Sequence, residues 1–196
     1  MTSETSDQII AECAVKFNDN QNDCNQFLKA VAASFFDPDL FSGPCMNADA
    51  IIAELQSSND WTSLRKSHRN AIRDAKAGKF VIAGMTSTEL GSNHGHLAVV
   101  VGDSGQNSGT TLVPICYAGS LNAIARVQRK RVSATFPASL ARDGKIEYFS
   151  RTADTEPSVN STSRLVDFVR GLRVETELKK IKASTTSKTK KAQKKK

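Results

Sequence analysis

The chain changes its apolar rhythm once, near Gly78, and that change limits the fold more than any single motif does. Before it, apolar residues recur three and four apart, which places them on one face of a helix. Ile9, Ile10, Cys13, Ala14 and Phe17 form a first stripe, with Thr5 or Ser6 as its candidate cap. A polar loop over 18–22 follows. Phe27, Leu28, Val31, Ala32, Phe35 and Phe36 form a second stripe, broken by Asp-Pro-Asp at 37–39 and Ser-Gly-Pro at 42–44. Asn47 can cap a third helix carrying Ile51, Ile52 and Leu55. A fourth helix is expected over 62–77, with Gly78 as its stop.

Beyond Gly78 the apolar residues come in short unbroken runs. Phe80-Val81-Ile82-Ala83 reads as a buried strand, and 97–101 as another. A glycine- and serine-rich turn over 102–109 leads to a third strand over 111–117, so 96–117 reads as a β-hairpin. Weaker strand candidates lie at 127–136 and 145–149. Helices first and strands after predict an α+β domain with an antiparallel sheet. That domain is expected over 1–150, followed by a linker and an amphipathic helix over 151–182 and a lysine-rich, disordered tail over 183–196.

The length of 196 residues suits one domain with a real core. No stretch approaches the roughly 20 apolar residues of a membrane span. The N-terminus is polar and acidic, without the basic cluster and apolar run of a Sec-type signal peptide. Six of the net +7 charges sit in 183–196, leaving +1 for residues 1–182. The body is therefore close to neutral, which argues against a nucleic-acid-binding domain with a basic face. Cys13, Cys24, Cys45 and Cys116 form no C-x-x-C pair, which argues against a zinc ribbon or a thioredoxin-like motif. With Cys24 as a free thiol, at most one disulfide remains possible within the chain.

Cys24 stands at the first turn of the second helix, behind Asn22 and Asp23. A thiol there feels the positive end of the helix dipole, which favours the reactive thiolate. The bland alternative is a small buried apolar residue. Against it, Phe27, Leu28 and Val31 mark the buried face, and Cys24 falls at the end of that stripe. His96 opens the apolar run Leu97-Ala98-Val99-Val100-Val101. A histidine at the mouth of a buried strand is costly without partners or a task. A surface histidine is the alternative for His96 taken alone. The order cysteine, helices, histidine on the first strand of a hairpin favours a pair in which the imidazole takes the thiol proton.

The flanks make the pattern more specific. Asp-Cys-Asn-Gln-Phe-Leu-Lys-Ala-Val-Ala at 23–32 resembles the catalytic helix of family-one type VI secretion amidase effectors, a branch of the papain-like NlpC-type and CHAP-type cell-wall peptidases. Asn-Ala-Asp-Ala-Ile at 47–51, Trp61, Ala-Gly-Lys-Phe-Val-Ile-Ala-Gly at 77–84, Gly-His-Leu-Ala-Val-Val at 95–100 and Pro-Ile-Cys-Tyr-Ala-Gly-Ser at 114–120 resemble further blocks of that family, in its order. The resemblance covers roughly residues 7–150. It implies a papain-like fold with N-terminal helices packed on an antiparallel sheet, with Cys24 as nucleophile and His96 as general base. His94 precedes the motif and is not carried over. The segment 86–93 is longer than the family's loop. Position 118 is Ala where relatives carry a polar or sulfur side chain, so a third, orienting residue is open: Cys116 shares the strand face of 118, and Tyr117 or a backbone carbonyl are alternatives.

The resemblance further implies a peptidoglycan hydrolase that cuts stem peptides at the γ-D-glutamyl–meso-diaminopimelate bond, acting as a monomer without metal or cofactor. Delivery to a rival's periplasm by a type VI apparatus and a cognate immunity protein are implied with it. The alternatives are an N-acetylmuramoyl-L-alanine amidase and a non-catalytic binding module on the same fold. Two other signals stand in the sequence. Gly102-Asp103-Ser104-Gly105 resembles a serine-protease segment but sits where turn residues are expected. His94 and His96 could share a metal with Asp103, Cys116 or His68, although zinc needs three or four ligands.

Overall fold

A computed structural model describes residues 3–36, 40–41 and 46–153. Cys45, the linker and helix expected over 151–182 beyond Ala153, and the tail over 183–196 lie outside the described residues. The described part is α+β with an antiparallel sheet, as the change of rhythm predicts. Its elements are α1 (Glu4–Asn20), α2 (Cys24–Ala32), α3 (Ala48–Ser57), β1 (Thr62–Arg65), α4 (His68–Lys76), β2 (Phe80–Met85), α5 (Ser87–Leu90), β3 (His96–Val100), β4 (Gln106–Ser108), β5 (Thr111–Val113), β6 (Ile115–Ala118), β7 (Val127–Arg131), α6 (Ala138–Arg142) and β8 (Glu147–Arg151). Single 3₁₀ turns over Ala123–Ala125 and Val132–Ala134 flank β7.

Six strands form the main sheet in the order β1-β8-β2-β3-β6-β7, every pairing antiparallel. The central strands β2, β3 and β6 are buried along their whole length. That explains their unbroken apolar runs, because a strand covered on both faces does not alternate. One cover consists of α1, α2 and α3: Phe17, Phe27, Val31, Phe35, Ile52 and Leu55 share a core with Ile82, Leu97, Val99 and Tyr117. On the other face Ala71, Ala75, Phe136 and Ala141 pack with Val81, Ala83, Ala98, Val100, Cys116 and Tyr148. Trp61 closes the first core at its edge, ringed by Phe36, Phe41 and Phe80 at centroid distances of 5.8 to 6.4 Å.

Several local expectations hold. Asn47 caps α3 by accepting from the Ala50 amide at 2.9 Å, and Gly78, at φ 85°, stops α4. Others are corrected. The helix expected over 62–77 is a strand followed by a shorter helix. Thr62, Ser63 and Arg65 pair with Ser150, Phe149 and Tyr148, Arg65 turns to φ 55°, and Ser67 caps the new helix start. Pairing with β8 outweighs the helical propensity of that segment. Ser3, not Thr5 or Ser6, caps α1. The stretch 86–93 holds a one-turn helix with a capping box between Thr86 and Glu89. In the expected hairpin β3 does pair with β6, and the connection carries a small ladder of its own, β4 with β5. Among the described residues no helix is long and apolar enough to cross a membrane.

Candidate active site

Helix α2 starts at Cys24 because Asp23 holds extended backbone and caps it. Asp23 Oδ1 accepts the amides of Asn25 at 2.7 Å and Gln26 at 3.1 Å. Phe27, Leu28 and Val31 anchor the helix in the core, so its first turn sits at the end of the sheet. A strap after β6 fixes that position. Ser120 donates its amide to Gln21 O at 2.9 Å, and Gly119 passes so close to the α1–α2 turn that a Cβ there would lie 2.6 Å from both Asn20 O and Asp23 O.

His96 is the first residue of β3, opposite Met85 of β2. By strand alternation its ring lies on the Ala98–Val100 side of the sheet, while Cys24 packs against the α1–α3 side. The β3–β6 pairing covers Val99 and Val100 and stops short of His96. The sheet therefore opens at this end, and one cleft of about 370 Å³ is lined by Cys24, Asn25, Asp49, His96, Ser120 and Thr135 among others. The two residues singled out from sequence are thus placed in one cavity, Cys24 by a covering helix and His96 by a strand of the sheet.

The sulfur of Cys24 is approached by the backbone N–H groups of Leu97, of Cys24 itself and of Asn25, all of which favour thiolate. The thiol itself donates to the side-chain oxygen of Asn25, Oδ1, at 3.5 Å. Burial is the larger effect and pushes the thiol up to about 11, with the Asp23 charge adding to the rise. The reactivity expected from the helix dipole is therefore outweighed by desolvation. His96 is itself buried, and loss of solvent pulls its imidazole down to about 4. At neutral pH the resting site holds a neutral thiol and a neutral imidazole.

The ring partner of His96 is a residue that sequence reasoning missed. Nε2 lies 2.6 Å from Thr135 Oγ1, and Thr135 Oγ1 lies 2.5 Å from Ala125 O. Phe136 packs its ring against the imidazole at 4.9 Å. Cys116 does not serve as the orienting residue. It is buried opposite Val100, four positions along β3 from His96, which at strand rise is about 13 Å. Tyr117 faces the other core, against Phe17. Sharing a strand face fixed the side of the sheet for Cys116 but not its distance.

The remaining candidates fall elsewhere. His94 is exposed at the cleft rim. Both ring nitrogens of His68 are engaged, Nδ1 with the Tyr148 hydroxyl at 2.8 Å and Nε2 with Ala141 O at 2.7 Å. Among the described residues no group of three His, Cys, Asp or Glu side chains is placed to hold a metal. Asp103 pairs with Arg129 at 3.5 Å, and the Ser104 hydroxyl accepts from Lys76 at 3.3 Å, so the Gly-Asp-Ser-Gly segment is a braced turn. Cys13, Cys24 and Cys116 are free thiols. Compared with known proteins, the chain matches no family model and no curated sequence.

Proposed function

We propose that this chain is a papain-like cysteine amidase acting on the stem peptides of peptidoglycan. One observation carries the catalytic part of the reading: Cys24 at a helix start and His96 at a strand start line one cleft, with three backbone amides turned to the sulfur. The substrate part rests on the sequence resemblance to the family-one type VI amidase effectors. With it come a D,L-endopeptidase specificity, delivery by a type VI apparatus into a target periplasm, and a cognate immunity protein as partner.

The chemistry follows from the two neutral groups. The Cys24 thiol gives its proton to the free nitrogen of His96 as the sulfur attacks the amide carbonyl. The Cys24 amide, at the start of α2, lies beside the forming oxyanion, while the Asn25 amide stays on the Asp23 cap. The C–N bond breaks, and the imidazolium returns the proton to the leaving amine. Water then attacks the thioester and gives a proton to His96, releasing a carboxylate and restoring the thiol. A thiol with an imidazole suits amides, whereas glycosidases generally use paired carboxylates.

Digestion of purified Gram-negative peptidoglycan, with the products weighed by mass spectrometry, tests the reading. Fragments ending in γ-D-glutamate are expected. Release of the whole stem peptide from the lactyl group would instead indicate an N-acetylmuramoyl-L-alanine amidase, and cut glycan with intact peptides would overturn the proposal.

A further inference from the structure

We infer that Thr135 is the positioning residue for His96, setting which ring nitrogen carries the proton. The inference rests on reading Cys24 and His96 as a dyad, and it starts from hydrogen-bond direction. A hydroxyl has one proton to give. Ala125 O is a backbone carbonyl and can only accept, so at 2.5 Å the Thr135 proton points to it. Were the proton turned toward the ring, two oxygens would stand 2.5 Å apart with nothing between them. Thr135 Oγ1 therefore accepts from His96, and the bond of 2.6 Å is Nε2–H to oxygen. A neutral imidazole with its proton on Nε2 has its lone pair on Nδ1. Nδ1 is then the nitrogen free to take the thiol proton, and the same Thr135 oxygen holds the Nε2–H as the ring becomes positive.

Both ends of this chain are braced. Ala125 ends a 3₁₀ turn closed by its amide to Asn122 O at 3.0 Å, and Arg126 Nε donates to Ser120 O at 2.9 Å. Thr135 follows the second 3₁₀ turn, with its amide on Val132 O at 3.2 Å. Phe136 fixes the plane of the ring from the side. The pairing of Thr135 with Ala125 thus commits the hydroxyl proton before substrate arrives. It also ties the protonation pattern of His96 to the strap that carries Ser120 and Leu121 at the cleft mouth.

Thr135→Val keeps the shape and removes the hydroxyl, whereas Thr135→Ser keeps the hydroxyl. Long-range ¹⁵N–¹H NMR at pH 7, with the ring assigned against His96→Gln, reads the tautomer on the protein alone. The expected result is Nε2–H in the wild type and in Thr135→Ser. In Thr135→Val an Nε2–H would face an apolar wall unpartnered, which shifts the population toward Nδ1–H by about 10-fold or more. In amide hydrolysis kcat falls by about 10²-fold in Thr135→Val with KM within about twofold, and Thr135→Ser restores it. If Thr135→Val does not fold, Thr135→Ala serves the same comparison. Nδ1–H in the wild type, or unchanged Nε2–H in the variant without hydroxyl, overturns the inference. A wild type that cleaves no peptide would count against the proposed function while the NMR comparison still decides the role of Thr135.

Discussion

Asp23 caps the helix that begins at Cys24: its Oδ1 takes the Asn25 amide at 2.7 Å and the Gln26 amide at 3.1 Å. The same carboxylate raises the thiol of Cys24 by its charge, so one residue builds the helix start and holds the thiol protonated. Asn is as good a cap as Asp. Asp23→Asn should therefore leave stability within a few tenths of a kcal/mol, whereas Asp23→Ala costs about 1 kcal/mol. The lost charge lowers the thiol pKa, so iodoacetamide should label Cys24 several-fold faster at pH 8 in Asp23→Asn. Labelling at the wild-type rate would mean that the cap charge does not reach the sulfur.

Cys24→Ala and His96→Ala should each reduce peptidoglycan hydrolysis by several orders of magnitude. In the proposed mechanism the two act in one proton transfer, so the double variant should be no worse than either single one. Both sit at the end of the sheet, so circular dichroism should stay native. Turnover persisting in Cys24→Ala would end the cysteine-amidase reading.

The sequence made the frame of the site legible because the frame is local. The stripe from Phe27 to Val31 orients α2, the residues ahead of Cys24 supply its cap, and the apolar run 97–101 places His96 at a strand mouth. Thr135 was not legible. It lies 39 residues from His96 in sequence, and nothing in Thr-Phe-Pro at 135–137 signals a hydrogen bond that only tertiary packing creates. The misreading of Cys116 has a related cause, since strand period gives a face but not a position along the strand. The strand at Thr62–Arg65 was hidden for the same reason as Thr135, because its partner β8 is some 85 residues away.

Gly119 offers a test of the strap. An added Cβ would stand 2.6 Å from two backbone oxygens, Asn20 O and Asp23 O, which belong to a turn and cannot swing aside as a side chain would. Gly119→Ala should cost about 1–3 kcal/mol, the usual penalty of overpacking, and it should push the start of α2 away from His96. Urea unfolding and hydrolysis should then fall together. Loss of neither would mean that the α1–α2 turn yields easily and that the strap does not fix Cys24.

The buried imidazole predicts a pH dependence of folding with a definite sign. His96 titrates at about 4 in the folded protein and near 6.5 when unfolded. Between these values the unfolded chain binds a proton that the folded one refuses, so stability must rise with pH across the window. The contribution is present in full above pH 6.5 and is lost as pH falls toward 4. A gap of about 2.5 units corresponds to about 3 kcal/mol. Gln at this position keeps an N–H for Thr135 but has nothing to titrate. Urea unfolding of the wild type should therefore lose about 3 kcal/mol more between pH 7 and pH 4 than His96→Gln does. Parallel curves for the two proteins would place the folded-state value of His96 near the ordinary one, and burial would not be what keeps the imidazole neutral.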